Sequence, residues 1–191
     1  MMTAITRMRR GRAITAVVLG LVGAMVGFLA VQADTWQPGT REIQDYAAHV
    51  HEKAPTVIAQ KGRAGALVTF RHPLTAERFN SLMAQPGISV ESFRIRVIKP
   101  NGERAIIGGA PEPDGTILDP AHVFRVAAQA KDNAGGNLAI LGVFDARVTI
   151  DQSSYEALRA VPDVFLVDPV QDNSDNQFLL YHAMEDAGLA G

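Results

Sequence analysis

Residues 66–90 (ALVTFRHPLTAERFNSLMAQPGISV) and 142–166 (GVFDARVTIDQSSYEALRAVPDVFL) align without a gap at an offset of 76 residues. The offset pairs Arg71 with Arg147, Leu74 with Ile150, Phe79 with Tyr155, Leu82 with Leu158, Ala84 with Ala160, Pro86 with Pro162 and Ile88 with Val164. Few positions are identical, and what repeats is the order of residue types. A β-prone run leads to a capping residue, a short amphipathic helix, a Pro stop and a second β-prone run, so each copy reads as a β-α-β unit. Two such units predict an α+β domain, a ferredoxin-like sandwich over residues 66–169 with a hairpin and helix inserted at 100–137. Folds of that kind serve unrelated purposes, so function has to be sought in sites.

Within this frame Thr75 and Asp151 are the expected N-caps, and Phe79, Leu82 and Met83 form one apolar stripe with Tyr155, Leu158 and Val161 as its counterpart. Ile88 to Ile98 reads as a long strand whose alternation slips between Val90 and Phe93, which predicts a bulge near Glu91-Ser92. From Phe93 onward Arg94 and Arg96 alternate with Phe93, Ile95 and Val97, so the two arginines share one sheet face. The expectation is a solvated outer face, with pairing to an acidic partner as the functional alternative. Asn101-Gly102 predicts a tight hairpin with a return strand over 104–107, and Gly108 to Gly115 reads as a loop. Asp119-Pro120 predicts a helix start, with the helix running to about Asp132. Residues 164–167 are apolar throughout, as in a buried strand.

Outside the repeats, Thr40 is the expected cap of a helix over 41–53, followed by an irregular stretch from Pro55 to Ala64. Residues 34–65 are assigned to this tether and helix, and 170–191 to a C-terminal tail. Phe178, Leu180 and Tyr181 make the tail an apolar segment, read as a helix docked on the domain or as a partner-binding peptide. Together with Arg94 and Arg96 they are the candidate partner-binding residues.

The N-terminal segment 1–12 carries Arg7, Arg9, Arg10 and Arg12 and no acid, and Ala13 to Val31 then runs 19 residues without a charge. As a helix that run is about 28 Å long, against roughly 30 Å for the hydrocarbon core of a bilayer. The expectation is a transmembrane helix within 13–33, with Trp36 at the interface and the basic end in the cytoplasm, leaving the remaining domain outside. The alternative is a signal peptide cleaved after Ala33, which would leave the domain secreted. Gly23 and Gly27 form a small-residue pattern that permits close helix packing.

Composition narrows the function classes. The chain has no cysteine, so disulfides, thiolate nucleophiles and Cys-based metal sites are absent. Four of the 18 basic residues lie in the leader, so 14 remain against 20 acids and the rest of the chain has a net formal charge near −6. That balance argues against nucleic acid as a partner. His49 and His51 point to different sides of a helix and lack the spacing of a zinc pair. The glycine-rich stretch at 108–115 lacks the lysine of a phosphate loop, and Asp172 to Asn176 has Gln177 where a calcium loop needs glycine. Ser153-Ser154 reads as capping chemistry, and His72, His122 and His182 are isolated in sequence. No cofactor, metal or catalytic set is expected, and the chain is not expected to be an enzyme.

Residues 146–169 (ARVTIDQSSYEALRAVPDVFLVDP) resemble the closing half of a subtilisin-type propeptide or an inhibitor of that class, with a helix, a P-x-V turn and a strand. The resemblance implies an inhibitor or folding chaperone whose C-terminal segment, here Asp168 to Asn176, enters a protease cleft. The large insertion between the halves departs from that pattern, and no protease follows in this chain. The expectation on balance is a membrane-anchored extracytoplasmic module that binds another membrane or extracytoplasmic protein through the 108–137 insertion and the C-terminal segment. The exported inhibitor-like module is the alternative, and an uncharacterised enzyme comes third.

Overall fold

The computed structural model describes residues 39–123, 125, 138–169 and 179–190. In chain order the elements are α1 (Thr40–Lys61), β1 (Arg63–Leu74), α2 (Ala76–Met83), β2 (Ser89–Ile98), β3 (Arg104–Gly109), β4 (Ala139–Asp151), α3 (Gln152–Arg159), β5 (Val164–Asp168) and α4 (Leu179–Asp186). The five strands form one antiparallel sheet in the order β3-β2-β4-β1-β5. The molecule is therefore an α+β domain in which β1 and β4, the first strands of the two repeats, pair at the centre.

The repeat governs local structure as well as order. α2 and α3 start and stop at equivalent positions, 76 residues apart. Thr75 caps the first by accepting from the Arg78 N–H at 3.2 Å, and Asp151 caps the second by accepting from the Ser154 N–H at 2.8 Å. In the central pair Thr69 stands opposite Asp145, its own equivalent, so a local two-fold runs between these residues. Related contacts follow on either side of it. Asp163 accepts from Arg78 at 2.7 Å, while its counterpart Gly87 lies beside Ser154 at the cap of α3. A Cβ on Gly87 would come within 2.3 Å of Ser154 Oγ, and its φ of 83° is one that a side chain disfavours.

α2 and α3 cover one face of the sheet. Phe79, Leu82 and Met83 of α2 and Tyr155 and Leu158 of α3 pack on Val68, Phe70, Phe93, Ile95, Val148 and Ile150. Phe79 makes edge contacts with Phe70 and Phe93 at ring separations of 6.1 and 5.4 Å. Burying a ring of this size contributes about 1.5–3 kcal/mol, so this face supplies the main core.

α1 differs from its expected extent. It runs 22 residues, straight through Pro55, where the sequence predicted an end near Lys53 and an irregular stretch to Ala64. Pro55 removes one helical donor, but Ala54 and Ile58 on either side are buried in the main core, and that burial carries the helix onward. The N-terminal half of α1 instead joins a second apolar cluster, where Ile43, Ala47 and Val50 meet Leu166 of β5 and Leu180, Ala183 and Met184 of α4. α1 thus spans the two clusters beside β5.

Thr40, the expected cap, is instead the first helical residue with Gly39 at the N-cap, and β3 runs two residues past its expected end through Gly108 and Gly109, while three further expectations agree with the structure. Glu91 is the extra residue of a bulge, since Val90 faces Val148 and Ser92 faces Arg147. The hairpin closes through Lys99 and Glu103, with Gly102 at a φ of 82°. Asp119 Oδ1 accepts the Ala121 N–H at 2.9 Å and starts the helical turn at Pro120. Most of the predicted continuation to Asp132 lies outside the described residues. So do the leader, with Ala13, Val31, Gly23, Gly27 and Trp36, and also Phe178. Among the described residues, no helix is long and apolar enough to cross a membrane.

Candidate functional site: the charged sheet face beneath the last helix

The second face of the sheet carries buried polar groups where the first carries hydrocarbon. Alternation along β2 sends Phe93, Ile95 and Val97 to the main core and Arg94 and Arg96 to the opposite side. Opposite them β4 is bulged: Arg94 faces Asp145 and Ile95 faces Val143, leaving Phe144 as the extra residue. A bulge lets two successive side chains serve the same face, and both Phe144 and Asp145 meet the arginines there.

Arg94 grips Asp145 with two N–H groups, its Nε donating to Oδ1 at 2.6 Å and its Nη2 to Oδ2. Such a bidentate pair fixes orientation as well as charge. Arg96 has no exposed surface. Its Nη2 donates to Glu185 Oε2 of α4 at 2.6 Å and lies 3.0 Å from His182 Nδ1. Glu185 Oε2 also lies 3.5 Å from His182 Nδ1, so the imidazole sits against both members of the pair.

Aromatic faces replace water around the cations. The Arg96 guanidinium carbon lies 4.9 Å from the Phe144 ring centroid and 5.6 Å from that of Tyr181, and Arg94 lies 5.4 Å from Phe144. Phe144 and Tyr181 pack with centroids 4.8 Å apart. Arg104, at the start of β3, reaches Asp186 at 3.3 Å and Glu185 at 3.5 Å. Three arginines thus meet three carboxylates, Asp145, Glu185 and Asp186, between sheet and helix.

The electrostatics follow from this burial. Desolvation lowers Arg96 from its usual value, against the pull of Glu185, and raises the Asp145 carboxyl, against the pull of Arg94. Burial also works to raise Glu185, but the His182 hydrogen bond and the charges of Arg96 and Arg104 prevail and hold it below the usual carboxylate range. Burial and the neighbouring Glu185 charge push the Tyr181 hydroxyl up to about 12.

The solvated face expected for Arg94 and Arg96 is corrected here: desolvating both guanidinium groups is compensated inside the molecule by Asp145, Glu185 and the two rings. Leu180 and Tyr181, the other described candidates, are buried beside them, in the arrangement expected of a docked C-terminal helix. Phe144, Asp145, His182 and Glu185 complete the cluster and were not singled out as partner-binding residues from sequence. The available signal for Asp145 was its place, with Arg147, as one of two charged residues in the otherwise apolar run 138–148.

The insertion forms a separate crevice of about 190 Å³ over the other face. Phe93, Ile107, Ile117 and Leu118 line it, with Glu112 and His122 3.6 Å apart at its edge. The Ser153 and Ser154 hydroxyls both donate to the carboxylate of Asp151, the capping residue of α3. Among the described residues no group of three or more His, Cys, Asp or Glu is placed to hold a metal ion. Of the segment that the propeptide resemblance would send into a protease cleft, Asp168 is buried and bonded by Tyr46, and residues 170–176 lie outside the described residues.

Compared with protein-family profiles, curated proteins and solved structures, the chain matches none.

Proposed function

We propose that the chain is a membrane-anchored extracytoplasmic module, a ferredoxin-like sandwich with one added edge strand, that works by binding another protein. The observation that carries the reading is the charge-free run Ala13 to Val31 behind four arginines, long enough as a helix to span a bilayer with the basic end in the cytoplasm. The strand order supports the sandwich: each repeat's strands are separated by a strand of the other, and β3 extends the edge beyond β2. Binding rather than catalysis is favoured by a polar cluster made of paired arginines and carboxylates packed on rings, a chemistry suited to recognising an acidic surface.

A cross-linked pull-down of the tagged full-length chain from detergent-solubilised native membranes tests this reading, with the bait's own N-terminus mapped by mass spectrometry. The expected result is stoichiometric co-purification of a membrane or extracytoplasmic protein by a bait that retains residues before Ala33. A bait beginning at Asp34, with a secreted protease as its main partner, would replace the reading with the exported inhibitor.

A further inference from the structure

α4 is fitted to the sheet face more closely than to its own helicity. It is eight residues long, too short to persist as an isolated helix in water. Its last turn carries Glu185 and Asp186 and no basic residue. Carboxylates at a helix C-terminus oppose the helix dipole, so their placement weakens the helix and is offset by Arg96, Arg104 and His182. On the apolar side Leu180 and Met184 fit the second cluster and Tyr181 lies on Phe144. α4 is therefore an amphipathic helix with an acidic end, selected by a face of matching chemistry.

α4 also leaves that face incompletely used. Arg96 is fully buried, yet its Nε and Nη1 have no hydrogen-bond partner. A buried donor without an acceptor is destabilising, so an occupant that brings an acceptor to either nitrogen would hold Arg96 better than α4 does. Nor does α4 belong to the main core: Leu180, Ala183 and Met184 lie in the second cluster and Tyr181 packs on Phe144.

We propose that the sheet face formed by Arg94, Arg96 and Phe144 is a docking surface for an acidic amphipathic helix of a partner protein, with α4 occupying it in cis until such a helix displaces it. The inference rests on the binding-module reading above and names the partner's chemistry and the site it takes.

The test uses the full-length chain in detergent carrying Glu185→Lys and Asp186→Lys, which weakens the cis contact. The probe is a fluorescein-labelled peptide with the sequence of residues 179–190, LLYHAMEDAGLA. The variant is expected to bind this peptide at least about tenfold more tightly than the unaltered chain, whose own α4 competes at an effective concentration on the order of millimolar. A peptide with both acids replaced by lysine should not bind, and Arg96→Met in the variant should abolish binding of the acidic peptide. Binding of neither peptide, or of both equally, overturns the proposal. So does an unaltered chain that forms a dimer exchanging α4 between copies, which makes the occupant a second copy. If the charge variant loses its fold by circular dichroism, Leu180→Ala with Met184→Ala weakens the cis contact instead, and the same outcomes apply. A partner in the pull-down without peptide binding sinks the docking surface and leaves the module reading standing. Peptide binding without any partner does the reverse.

Discussion

Arg96 and Glu185, 89 residues apart in sequence, meet at 2.6 Å between the sheet and α4. The guanidinium has no exposed surface and the Glu185 side chain keeps 13% of its own. Removing such a pair from water costs several kcal/mol per ion, and their attraction returns about as much when further hydrogen bonds are present. Here Nη2 is satisfied, the rings of Phe144 and Tyr181 offset part of the lost hydration, and the Nε and Nη1 nitrogens stay without a partner. The pair therefore sets where α4 sits, while the apolar contacts of Leu180 and Met184 hold it down.

A local consequence follows for Glu185→Ala. Amide hydrogen exchange in α4 should accelerate by about ten- to a hundredfold, since helices docked this way open independently of the core. Protection at Val68 and Val148, in the central strands, should change by less than about twofold. Uniform acceleration of both regions, read by mass spectrometry, would mean that α4 is integral to the main core.

Gly87 and Gly102 share a φ near 82° but differ in surroundings: a Cβ on Gly87 would strike Ser154 Oγ, and one on Gly102 meets nothing within 4 Å. Both alanine variants incur the left-handed backbone penalty of about 1–2 kcal/mol. Gly87→Ala should incur about 1–3 kcal/mol more from the clash, seen as a lower urea midpoint than that of Gly102→Ala. Equal midpoints would contradict the contact between the repeats.

The caps differ in how they answer to pH. The Ser154 N–H, with the hydroxyls of Ser153 and Ser154, holds the Asp151 carboxyl down to about 2. The unfolded chain titrates it near about 3.9, so its contribution is present above that value and fades as pH falls toward 2. Asp151→Asn keeps a capping oxygen without the titration, and the slope of urea midpoint against pH between 4 and 2 should be shallower in that variant.

Thr75 caps α2 with an uncharged hydroxyl. Thr75→Ala should cost about 1 kcal/mol at any pH from 4 to 7, measured by urea unfolding. A loss that changed with pH in that range would contradict capping by an uncharged hydroxyl alone.

Much of the fold was legible because the repeat sets local chemistry at fixed spacing. Thr75, Asp151, the apolar stripes, the Asn101-Gly102 hairpin and the Glu91 bulge all act within a few residues of themselves. α1 was misjudged at Pro55 because burial of Ala54 and Ile58 against strands distant in sequence overrides a local helix breaker. The candidate site was half legible. Alternation placed Arg94 and Arg96 together, but their environment depends on a bulge at Phe144 and on a helix more than 80 residues downstream. In the run Val143 to Ala146 all four side chains are buried, so no periodicity marks which face each one serves.

The absence of cysteine permits a direct test of the anchored arrangement. Leu141, exposed at 49% on β4, takes a single cysteine in one variant, and Thr3, in the basic segment, takes it in another. A membrane-impermeant maleimide is applied to spheroplasts before and after permeabilisation. The account predicts that Leu141→Cys is labelled in intact spheroplasts, that Thr3→Cys is labelled only after permeabilisation, and that both chains stay in the membrane fraction at full length. Labelling of Leu141→Cys only after permeabilisation, or recovery of a soluble chain lacking residue 3, would contradict it.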